Sequence, residues 1–95
     1  MATQASVEAI TKIERPRMFS VVLYNDDVTT VEFVIELIQT VFHRDLYTAT
    51  EITMQVHNEG KAVVAGYTYD IAISKKMQAE NMAQQHKFPL KIGVE

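Results

Sequence analysis

Ninety-five residues, 47% apolar and 22% charged, describe one globular domain with a single core and little to spare. The absence of cysteine excludes disulfides, thiolate zinc sites and a cysteine nucleophile, and fits a reducing compartment. A net charge of −3 (pI near 5.6), with Lys75-Lys76 as the only adjacent basic pair, sets nucleic-acid binding aside, and no signal-like opening or membrane-length apolar run is seen.

Residues 1–17 are polar, lack a repeating apolar pattern and close on Arg15-Pro16-Arg17; they read as a mobile tail, leaving 18–95 as the domain. Met18 to Tyr24 is rich in β-branched and aromatic residues and is predicted to be a strand. Val21 and Leu23 fall on one face, Val22 and Tyr24 on the other. Both faces are apolar, so the strand belongs in the centre of its sheet. Asn25-Asp26-Asp27 then forms a turn. Thr29 is predicted to cap a first helix, with Glu32 completing a capping box. Helical spacing follows from Thr30 to about His43, with Val34, Leu37, Ile38 and Val41 inward, Phe33 and Phe42 broadening the stripe, and Glu32, Glu36 and Gln39 outward. Thr48-Ala49-Thr50-Glu51 is a second capping box. The helix it opens turns Ala49, Ile52 and Val56 inward and ends at Gly60.

Arg44 to Tyr47 is a short link, so the two helices form a hairpin. Ala62 to Tyr67 reads as a second strand, with Gly66 at a bulge or close approach. Thr68 and Asp70 open a third helix to about His86, its inner face small (Ala72, Ala79, Ala83) with Ile71 and Met82 beside it. Pro89 ends it, and Leu90 to Val94 alternates as a last strand. The order strand–helix–helix–strand–helix–strand gives an α+β domain: a three-stranded antiparallel sheet with three helices on one face.

The chemistry concentrates at Asn25, Asp26 and Asp27, two carboxylates and an amide at a strand-to-helix corner. Such a cluster attracts a cation: a metal, a Lys or Arg, or the ammonium of an amino terminus. A plain polar turn is the alternative from these residues alone. His43 and His86 sit at helix ends, where a cationic side chain suits the dipole, and take no function. His57, near the end of the second helix, is a candidate. Asp26, Asp27 and His57 could serve acid–base hydrolysis or a metal, though no H-x-x-x-H or H-E-x-x-H pair supports the latter. Counted as an EF-hand from Asn25, the segment puts Glu36 at the last ligand position. Thr30 then replaces the required glycine and apolar side chains fill ligand positions, so that reading fails. Ser6 lies in the tail, Ser20 is mid-strand and Ser74 has no base nearby in sequence, so no catalytic triad is supported, and three glycines make no phosphate-binding loop.

Val22-Leu23-Tyr24-Asn25-Asp26-Asp27, Thr29, Glu32-Phe33-Val34, Val56-His57 with Gly60-Lys61-Ala62, and Pro89-Leu90 together closely resemble the ClpS family, adaptors that bring substrates to the Clp ATPase–protease. The match runs in order over roughly residues 16–95, and that family shows the same element order. The resemblance implies an adaptor with no enzymatic activity, cofactor or metal. It would recognise N-degrons: substrates whose first residue is Phe, Tyr, Trp or Leu. It further implies that Asn25, Asp26 and His57 bind the α-amino group, and that Asp27 and Thr29 support the corner. The hydrophobic pocket would be Val31, Val34, Thr53, Met54, Val56 and Leu90. Asp70 and Lys75 would face the N-terminal domain of a ClpA-type AAA+ ATPase, with residues 1–17 engaged during hand-over.

The expected setting is the bacterial cytoplasm, and the expected state a monomer. Many relatives carry Met at the positions of Val31 and Thr53, so the pocket entrance is altered here. Thr30 stands where Pro is common, and Phe88 where His is frequent. The competing readings are a small hydrolase and a general interaction domain of the same fold.

Overall fold

The computed structural model describes residues 16–95; the reading of residues 1–17 as a tail falls, up to residue 15, outside them. Strands β1 (Met18–Tyr24), β2 (Lys61–Thr68) and β3 (Lys91–Val94) and helices α1 (Val31–Phe42), α2 (Leu46–Glu59) and α3 (Tyr69–Gln85) follow in the order β1-α1-α2-β2-α3-β3. The sheet is antiparallel with strand order β2-β1-β3, so β1 is central, as its two apolar faces predict. Val21 and Leu23 on one face of β1 join Val64 of β2 and Ile92 of β3 in a core shared with the helices. α1 contributes the largest stripe (Phe33, Val34, Leu37, Ile38, Val41, Phe42), and each such side chain contributes about 1.5–3 kcal/mol on burial. α3 lies close to the sheet because Ala72, Ala79 and Ala83 face it, all buried. Ile71, expected beside them, is instead 49% exposed: it precedes Ala72 by one position and turns about 100° away on the helix.

Three boundaries differ from the sequence expectation. α1 is capped by Thr30, whose Oγ1 accepts from the Phe33 backbone N–H; Thr29 is committed elsewhere, and no capping box with Glu32 forms. α2 starts at Leu46, earlier than the Thr48 box suggested. Asp45 caps it, its Oδ1 accepting from Thr48 N at 2.9 Å. An Asp cap followed by exposed Leu46 and Tyr47 carries no apolar periodicity to announce it. Gly66 is neither a bulge nor a close approach: a Cβ there would meet only the Phe19 carbonyl at 3.8 Å. The irregularity lies at Val64, where Val21 pairs with Ala65 and Val22 with Val63. Val64 and Ala65 are consequently buried in succession. The Val64 carbonyl accepts two bonds from the Arg44 guanidinium, at 2.9 and 3.2 Å, which ties the α1–α2 link to the sheet.

On the open face of the sheet Tyr24 lies across Gly93, where a Cβ would come within 3.1 Å of its ring. The Tyr24 hydroxyl donates to Glu95 at 2.5 Å, and the Lys91 ammonium sits 5.0 Å from the ring centre. Ser20 and Glu95 exchange both backbone bonds, extending the β1–β3 ladder. Among the described residues no helix is long and apolar enough to cross a membrane.

Candidate functional site

Two segments far apart in sequence meet because of the sheet register. Tyr24, the last residue of β1, pairs with Lys61, the first of β2, and β2 is preceded directly by the end of α2. The turn after β1 therefore lies beside the last turn of α2. A backbone bond fixes this: Asn25 N–H donates to the Gly60 carbonyl at 2.8 Å. Gly60 ends α2 with φ +90°, its own N–H returning to the Val56 carbonyl. That left-handed conformation suits glycine, and it turns the chain into β2 while leaving His57 on the exposed side of the last helical turn.

Within the turn Asp26 is the organiser. Its Oδ1 accepts from the backbone N–H of Val28 at 2.8 Å and of Thr29 at 2.7 Å, and its Oδ2 accepts from the Thr29 hydroxyl at 2.7 Å. Partial burial pushes the Asp26 pKa up, but the bonds from Thr29 and Val28 outweigh it and hold the carboxyl below its ordinary value. Among the described residues the side-chain hydrogen bonds of this corner all fall on Asp26; the Asp27 and Asn25 residues are exposed.

Between this corner, the first turns of α1 and the outer half of α2 lies a cavity of about 270 Å³. It is lined by Asn25, Asp26, Asp27, Thr29, Val31, Val34, Thr53, Val56 and His57. Its floor and walls are apolar: Val34 and Val56 are buried, and Val31 is half-buried. Thr53 is 2% exposed, and its hydroxyl donates to the Ala49 carbonyl at 2.7 Å. Its rim is polar on one side only, where Asn25, Asp27 and His57 converge. Of the residues expected at a pocket, Met54 and Leu90 are not among the lining. Met54 is 40% exposed and forms part of a neighbouring apolar surface with Leu46, Tyr47, Thr50 and Glu51. One position past Thr53, it turns off the cavity-facing side of the helix. Leu90 is buried in the core.

Asp70 and Lys75 lie on α3, away from this cavity. Asp70 is exposed in the first turn, at the edge of a broad shallow depression with Ile73, Ser74 and Met77. Lys75 is placed differently. It is half-buried, its ammonium donating at 2.8 Å to the Val41 carbonyl, one of the unpaired carbonyls at the end of α1. His43, with φ 56°, terminates α1. His86 caps α3, its ring against Phe33 and its Nδ1 3.0 Å from the Met82 carbonyl; neither histidine lines the cavity. Among the described residues no three His, Asp or Glu side chains are placed to share a metal ion.

Comparison with known proteins bears on the same span. The family described as "ATP-dependent Clp protease adaptor protein ClpS" matches residues 14–93. The chain is 46% identical over 92 residues to the ClpS adapter of Acetivibrio thermocellus, covering 95% of this chain and 93% of that one. It is 47% identical over 88 residues to the ClpS adapter of Desulfatibacillum aliphaticivorans, covering 93% and 85%. Among solved structures, ClpS2 of Agrobacterium tumefaciens bound to L-phenylalaninamide superposes with a TM-score of 0.82 at 36% identity, covering 85% of this chain and 98% of that one.

Proposed function

The chain belongs to the ClpS family of ATP-dependent Clp protease adaptors, and from that membership we propose that it captures N-degrons: the free α-amino group and bulky apolar first side chain of a substrate. An adaptor binds and delivers but does not cleave, so the hydrolase reading of Asp26, Asp27 and His57 falls away. The observation that carries the proposal is a cavity with apolar walls and a rim of acceptors on one side. An α-amino group is largely ammonium at neutral pH and has three N–H donors to place. Asn25 offers its amide oxygen, His57 a ring nitrogen when neutral, and Asp27 a carboxylate. Asp26 has Oδ1 filled by two donors and one acceptor site left on Oδ2, so it contributes charge and one contact at most. Val31, Val34, Thr53 and Val56 receive the side chain. Burial of an aromatic or Leu side chain contributes roughly 1.5–3 kcal/mol, and each charge-assisted bond a similar amount. Together they support micromolar affinity.

The ligand of the Agrobacterium protein fits this division: phenylalaninamide carries a free α-amine, a benzyl side chain and an amide where the next peptide bond would begin. Delivery to the N-terminal domain of a ClpA-type AAA+ ATPase would use the α3 face with Asp70. Lys75 would act partly by fixing α3 to α1. The protein works as a monomer in the bacterial cytoplasm.

The test is fluorescence anisotropy with a labelled peptide beginning with Phe, beside the same peptide N-acetylated. Binding of the free peptide, its loss on acetylation, and at least tenfold weakening in Asn25→Ala and His57→Ala are expected. Equal binding of the free and acetylated peptides would sink the proposal.

A further inference from the structure

Among the described residues Thr53 is the only buried polar side chain, and it lines the cavity. Its neighbours on the walls, Val31, Val34 and Val56, offer no polar atom. A threonine hydroxyl has one donor and two acceptor lone pairs. The donor is spent on the Ala49 carbonyl at 2.7 Å, one turn back in the same helix. What remains is acceptor capacity in surroundings otherwise apolar. Any ligand that fills the cavity removes water from it.

The position along α2 sets what can reach it. Thr53 precedes His57 by four residues, a rise of about 6 Å along the helix. With the α-amine held at the rim beside His57, the wall at Thr53 flanks the outer part of an aromatic first side chain, not its Cβ. Phe and Leu carry no donor there. They leave the remaining acceptor capacity of the Thr53 oxygen unused. Tyr has a phenolic O–H and Trp an indole N–H, either of which supplies that oxygen with a donor.

We propose that Thr53 is a specificity-determining residue, its hydroxyl oxygen accepting a hydrogen bond from the first side chain and so favouring Tyr and Trp over Phe and Leu. This rests on the N-degron reading of the same cavity. A hydrogen bond of ordinary net strength gives about a 3- to 10-fold preference.

The experiment compares Tyr-, Trp-, Phe- and Leu-led peptides, each free and N-acetylated, against the wild type, Thr53→Val and Thr53→Ser. Valine keeps the shape and removes the oxygen; serine keeps the oxygen. Thr53→Val is expected to lower affinity for the Tyr and Trp peptides about 3- to 10-fold. It should leave Phe and Leu peptides unchanged or slightly tighter, while Thr53→Ser preserves the wild-type order of preference. A loss shared equally by all four peptides in Thr53→Val would show a packing role only and overturn the proposal. So would a Tyr-to-Phe ratio that Thr53→Val leaves unaltered. Those outcomes are distinct from failure of the parent reading, in which acetylated and free peptides bind alike.

Discussion

Asp26 and Asp27 are adjacent and chemically identical, yet only Asp26 accepts hydrogen bonds within the turn, and alanine substitution separates the two. Asp26→Ala removes the acceptor for Val28 N, Thr29 N and the Thr29 hydroxyl. Bonds to a charged acceptor contribute up to about 3 kcal/mol each when sheltered, but this carboxylate is mostly solvated, which brings each down to well under 1 kcal/mol. The three together make a loss of about 2 kcal/mol, a fall in Tm on the order of 10 °C for a domain of this size. Because the folded-state pKa of Asp26 lies below its ordinary value, its contribution is complete above the ordinary carboxylate pKa. It is lost as pH falls through the lower folded-state value.

The stability gap between the wild type and Asp26→Ala should therefore hold steady from pH 7 to about 5 and close in stronger acid. Asp27→Ala, with no such bonds to lose, should melt with the wild type. It should bind a free-amine peptide about fivefold more weakly, the equivalent of about 1 kcal/mol for an exposed charge pair. Thermal melts across pH and anisotropy on both variants decide it. Equal melting of Asp26→Ala and the wild type, or equal destabilisation by the two variants, would refute the division of labour.

Gly60→Ala has space for its Cβ but must adopt φ +90°, so about 1 kcal/mol of backbone strain should lower Tm by several degrees without loss of fold. Thr30→Ala should lose about 1 kcal/mol as an N-cap, whereas the same change at Thr29 should act through Asp26, returning its carboxyl toward the ordinary value and flattening the acid response. Ala79→Leu places three extra carbons where α3 meets the sheet, at a residue fully buried; overpacking of about 1–3 kcal/mol should appear as a lower denaturant midpoint.

The fold was legible where periodicity was strong. The α1 stripe, the small-residue face of α3 and the central place of β1 all follow from spacing and residue type. What the sequence hid was governed by partners distant in the chain. Nothing around Val64 marks a bulge, because the residue that satisfies its carbonyl is Arg44, twenty positions earlier. Lys75 looks like any surface lysine on its helix, since the Val41 carbonyl it meets belongs to another helix end. The start of α2 was misplaced because a serviceable cap at Thr48 competes with a better one at Asp45, and only tertiary placement chooses between them. For the site, every lining residue of the cavity was named from sequence. Met54 and Leu90 were added by analogy of position, and the structure turns one outward and the other into the core.

The proposed ligand gives a reason for two acids in this turn. Turn geometry alone would be served by Asn, Ser or Gly. But α1 begins at Val31, and the N-terminal end of a helix carries roughly half a positive charge toward the space where an ammonium is proposed to sit. Left uncompensated, that field would oppose the ligand. Asp26, four residues ahead of the Thr30 cap and locked by Val28 and Thr29, offsets it. Asp27, not drawn into that lock, leaves the rim net negative. From the other side α2 ends at Glu59, and its C-terminal end presents carbonyl charge of the favourable sign. Under the proposed function the corner holds one carboxylate for the turn, Asp26, and another for the ligand, Asp27.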